Sequence, residues 1–168
     1  MQERWNNLHQ ALKAFHKRVE ADGLIARQIA AEIQQQFSAY IVAPDNRRVR
    51  VYKVGHSPTE LSSYVEQAYA SRAVEQTPLN EWKFGLGVLI GPDQFSEFLF
   101  RWPLYITLAK ESVVVNFSGK KIELIRQESS YNCETLCALM YNSLMESLSI
   151  SAGSTFTTQI GLISRWWP

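Results

Sequence analysis

The chain has 168 residues and a mass of 19.3 kDa, enough for one domain around a single core. Its 17 basic and 16 acidic residues give a formal charge of +1, with 20% of residues charged and 46% apolar. These proportions exclude a disordered tail, a strongly basic nucleic-acid coat and an acidic solvating protein, and leave a high aromatic content, 12%, to be explained.

The opening Met1-Gln2-Glu3-Arg4-Trp5 has no basic segment leading into an apolar one, so no secretory signal is expected. Phe84 to Ile90 is the best candidate for a membrane span, but it is short and broken by Gly85 and Gly87. Cys133 and Cys137 stand one helical turn apart and build no disulfide framework. A cytoplasmic location is the expectation.

Residues 1–42 read as an N-terminal helical region. Trp5, Leu8, Leu12, Phe15 and Val19 alternate in steps of three and four, which places them on one helix face. Asp22-Gly23 interrupts the pattern, and Ile25, Ile29, Ile33 and Phe37 resume it, with Ala26 and Ala30 beside them. Gly is common just past a helix end, so the region is one bent helix or a helical hairpin. Pro44-Asp45-Asn46 closes it by turn chemistry.

Residues 47–126 read as a sheet with an inserted helix over 58–72. Arg47 to Val54 alternates as a strand, with Val49 and Val51 on one face and Arg48, Arg50 and Tyr52 on the other. Ser57-Pro58-Thr59-Glu60 has the capping-box spacing that opens the inserted helix. Phe84, Leu86, Val88 and Ile90 then alternate with Gly85 and Gly87, and Trp102-Pro103 predicts a bulge or an edge. With Ser118-Gly119 as a two-residue hairpin turn and Lys110-Glu111 as the preceding turn, Leu104, Ile106, Leu108, Val113, Val115, Phe117, Ile122 and Leu124 fall on one face. A one-residue slip would scatter that set, so the register is specified.

Asn132 caps a C-terminal helix over 132–149, in which Leu136, Met140, Leu144 and Leu148 recur four apart. Residues 150–168 form a tail or last strand. The whole chain, 1–168, reads as one α+β domain. Its antiparallel sheet has four to six strands, with the N-terminal, middle and C-terminal helices packed on the apolar face. In element order alone, without a residue motif, this resembles the cone-shaped fold of nuclear-transport-factor-like proteins. The resemblance implies a pocket.

No catalytic constellation stands out. Gly85, Gly87 and Gly91 lack the strand-then-helix context of a dinucleotide fingerprint. His9 and His16 are two helical turns apart, too far to chelate one metal as an i, i+4 pair does. Cys133 near a helix N-terminus could have a lowered pKa, but no histidine in the C-terminal half offers a base, and small core residues are the simpler reading. Neither a metal nor a cofactor is expected.

Three functions from different classes follow. The leading one is a non-enzymatic cytoplasmic interaction or adaptor protein, with a protein partner or a second copy bound through Trp5, Leu8, Leu12, Phe15 and the terminal Trp166-Trp167. The second is a pocket protein or small enzyme, lined by Gly85, Gly87, Tyr105, Thr107 and Asn116. The third is nucleic-acid binding through Arg48, Arg50 and Tyr52, a basic face with an aromatic platform. A charged edge that discourages aggregation explains that last face equally well. Trp5, Tyr52, Trp102, Trp166 and Trp167 are the aromatics that core packing explains least.

Overall fold

The computed structural model describes residues 2–44, 48–54, 73–91, 98–109, 112–151 and 163–164. A 39-residue helix α1 (Gln2–Tyr40) comes first. Strands β1 (Val49–Tyr52), β2 (Glu75–Gln76), β3 (Trp82–Ile90), β4 (Phe98–Leu108), β5 (Val113–Phe117), β6 (Lys120–Gln127) and β7 (Ser130–Asn132) follow, then helix α2 (Glu134–Ser151) and strand β8 (Ile163–Ser164). The sheet runs β1-β3-β4-β5-β6-β7, with β2 added to β3 and β8 to β4, and every pairing is antiparallel. The class is α+β. The inserted helix expected over 58–72 and the tail aromatics Trp166 and Trp167 lie outside the described residues.

The hairpins take the register expected from their alternation. Leu104 pairs with Phe117, Ile106 with Val115 and Leu108 with Val113. Val115 pairs with Ile122, and Val113 with Leu124. Ser118 and Gly119 turn between them with φ of 50° and 80°, the two positive angles of a tight hairpin turn. The eight apolar side chains of this meander are buried or packed against the core.

Pro103 makes no bulge and lies where β4 is paired on one side only among the described residues. It sits inside β4, opposite Gly85, in a β3–β4 ladder that runs from Trp82–Ile106 to Ile90–Phe98 without a bulge. The β4–β5 ladder starts at Leu104, so the missing N–H falls just beyond that pairing. Trp102 is also a core residue, edge-on to Phe37 at 6.0 Å and to Phe117 at 6.2 Å.

α1 is one continuous helix through Asp22-Gly23. Gly23 is there for contact, since its backbone meets the Trp82 indole. The buried face from that point is Ala26, Ile29, Ala30, Ile33 and Phe37, while Ile25 is exposed. α1 ends with the left-handed Val42 (φ 52°), where Ala43 N–H donates to Ser38 O at 2.9 Å and Val42 N–H to Ala39 O at 3.1 Å.

The sheet curls so that both ends of its path reach this helix. At one end Gln34 Nε2 donates to Val49 O at 2.8 Å. At the other, Gln36 Nε2 donates to Tyr131 O at 2.6 Å while Cys133 N–H donates to Gln36 Oε1 at 3.0 Å. Tyr131 N–H donates to Glu32 Oε2 at 2.8 Å. Three polar side chains of α1 thus serve backbone groups as a neighbouring strand would. Asn132 Oδ1 accepts from Glu134 N–H at 2.9 Å and opens α2, whose Leu136, Met140 and Leu144 are buried.

Candidate interaction surface

The second half of α1 has the sheet beneath it, and the first half has nothing beneath it among the described residues. Trp5 is 69% exposed, Leu8 65%, Leu12 51% and Phe15 48%. Val19 is the first residue of the stripe to pack against the core. At 1.5 Å per residue, the bare stretch from Arg4 to Arg18 projects by about 22 Å.

The apolar stripe changes width where the sheet begins. Trp5, Leu8, Leu12, Phe15 and Val19 form a strict one-in-3.5 seam, flanked by Arg4, His9, His16 and Arg18. Ala26, Ile29, Ala30, Ile33 and Phe37 form a broader face that matches a sheet. A narrow seam suits another helix, and a wide stripe suits a layer. From Arg4 to Val19 the charged residues are Arg4, Lys13, Lys17 and Arg18, and the first acids beyond them are Glu20 and Asp22.

A groove of about 990 Å³ opens where α1 leaves the sheet. Phe15, Val19 and Ile25 line it from α1, and Leu108, Val113 and Leu124 from β4, β5 and β6. Arg18, Asp22 and Arg126 also line it. The exposed stripe reaches it through Phe15 and Val19, and Gln76, Thr77, Asn80 and Ser112 make its far wall polar. Sequence reasoning assigned Leu108, Val113 and Leu124 to the core face and did not join them to the stripe. The only local signal was Asp22, an acid at a stripe position.

The other expected sites are placed differently. Tyr52 is buried, its ring lies across Gly85, and the Arg101 guanidinium stands 5.1 Å from the ring centroid. That leaves no open ring face for a stacked base. Arg50 pairs with Gly87 on the same sheet face, Arg48 lies just before β1, and the neighbouring Lys53 forms an ion pair with Glu75 at 2.5 Å. The gap above Gly85 is therefore filled by this chain's own side chain. Tyr105 and Asn116 are cross-strand partners, and Thr107 Oγ1 donates to Glu81 Oε1 at 3.4 Å. Neither they nor Gly85 and Gly87 line this groove or a second one between α1 and Val49.

Cys133 and Cys137 are buried, free thiols. Burial, with Cys137 and Glu32 adding to it, pushes Cys133 up to about 12. Burial and then Glu134 push Cys137 up to about 11. Desolvation outweighs the helix N-terminus, and both thiols sit in the core. Among the described residues no cluster of histidine, cysteine and carboxylate side chains could hold a metal ion, and no helix is long and apolar enough to cross a membrane.

Comparison of the chain with protein-family models, with curated proteins and with solved structures gives no match.

Proposed function

We propose that the chain is a non-enzymatic interaction or adaptor protein that self-associates through the N-terminal half of α1. The change of stripe width within one helix carries this reading. The sheet accounts for the wide half, and a second narrow seam is the surface that best complements the narrow half. Burying a side chain of this size contributes about 1.5–3 kcal/mol. Eight half-exposed side chains across a two-fold pair would gain on the order of 10 kcal/mol. That is comparable with the about 4–15 kcal/mol lost in association.

The two unpaired thiols are in keeping with a reducing, cytoplasmic setting. Substituting Leu8→Asp and Phe15→Asp tests the proposal, because neither side chain belongs to the core. The double variant should keep its circular dichroism and unfold as cooperatively as the parent, yet scatter light as a monomer. Unchanged self-association would contradict the reading. So would a monomeric parent that sediments with phosphatidylserine vesicles, which would assign the seam to lipid.

A further inference from the structure

Resting on that reading, we infer that the two copies pair antiparallel, with Trp5 of one seated in the groove beside Val19 and Ile25 of the other. Orientation follows first from Asp22. Continuing the seam in steps of three and four, Asp22 takes the position after Val19, and it lines the groove. In a parallel pair in register, like positions meet, so Asp22 would face Asp22 across the seam. An antiparallel pair with Leu12 against Phe15 sets Leu8 against Val19 and Trp5 against Asp22. Arg4 of the second copy then stands beside Asp22, and two-fold symmetry makes that contact twice. At position 22 an opposite-charge contact replaces a like-charge clash, while the two Lys13 come to the same level on the outer side of the pair.

Area points to the same register. The four bare side chains leave on the order of 450 Å² uncovered per copy. A standard interface takes about 800 Å² from each partner. The seam alone falls well short, and the groove lies at its end, with Phe15, Val19, Ile25, Leu108, Val113 and Leu124 as the apolar part of a mixed lining. Only a partner that runs past Phe15 toward the sheet covers both. At about 990 Å³ the groove accommodates an indole, and Arg18 and Arg126 at its walls can stack on one. Trp5 is the residue that this register delivers there.

Nitroxide labels on variants with one added cysteine, Asn6→Cys and Lys13→Cys, test the arrangement in the full chain, because both native thiols are buried. The antiparallel pair brings the labels at position 13 to the same level, and separates those at position 6 by about 22 Å along the axis. Equal, short distances at both positions would overturn the antiparallel inference and leave self-association standing. A monomer, with no distance at either position, would overturn the reading beneath it as well. A charge exchange gives a second readout. Asp22→Arg should weaken association at least tenfold, and adding Arg4→Glu should restore most of it. No recovery would contradict the Arg4–Asp22 contact.

Discussion

Gly23 on α1 meets Trp82 on β3 so closely that a Cβ at position 23 would lie 2.9 Å from the indole Cη2 and 3.3 Å from Cζ3. The contact lies just past the point where α1 reaches the sheet, so it sets how close the helix can lie. Two effects oppose each other in Gly23→Ala. Alanine favours the helix by about 1 kcal/mol. Overpacking against a buried indole costs about 1–3 kcal/mol. Trp82 is buried and has little room to yield, so the variant should lose about 1 kcal/mol in urea denaturation. A gain of stability would mean that the indole shifts.

Val42 ends α1 in the left-handed region with φ 52°, and its side chain is exposed. A branched side chain there costs about 1–2 kcal/mol, which glycine avoids. Val42→Gly should therefore raise stability by about 1 kcal/mol, after allowing for the greater freedom of the unfolded glycine. The shift in thermal midpoint reads it directly.

Gln36 bonds both the Tyr131 carbonyl and the Cys133 amide. Gln36→Ala leaves two partly buried backbone groups unmet, at a cost of about 1–3 kcal/mol. Gln36→Glu keeps an acceptor for Cys133 N–H and loses the donor to Tyr131 O, so it should fall between the two. Hydrogen exchange at the Cys133 amide should accelerate in the alanine variant and much less in the glutamate variant.

The buried thiols make stability depend on alkaline pH. Their ordinary value is 9.0, and folding raises them to about 12 and about 11. The folded state holds these protons where the unfolded state releases them. Their contribution is full below pH about 9 and is lost as pH rises toward 11–12. Stability should fall as pH rises from about 9 toward 11–12, and fall less in a variant carrying Cys133→Ala and Cys137→Ala. Equal losses in both proteins would show that the thiols do not contribute.

The meander was legible because Leu104 to Leu124 alternates over short loops and Ser118-Gly119 supplies the turn. Partners within about twenty residues leave a local pattern. Gly23 left one helix and a hairpin both open for the opposite reason. A glycine past a helix end and a glycine beneath a distant indole look alike, and Trp82 is far along the chain. Gln36 gave no signal at all, since its partners are 95 and 97 residues away. Tyr52 and Trp102 read as surplus aromatics because Gly85, Phe37 and Phe117, which receive them, come from other elements. The seam from Trp5 to Val19 was readable as a face. That the sheet covers only its continuation was not, because a heptad pattern names a face without naming what covers it.

The mass of the unmodified chain in solution tests the central claim most directly. Light scattering behind size exclusion, across a wide concentration range, should give twice the 19.3 kDa chain mass. A single species at 19.3 kDa up to the highest concentration would contradict self-association through α1.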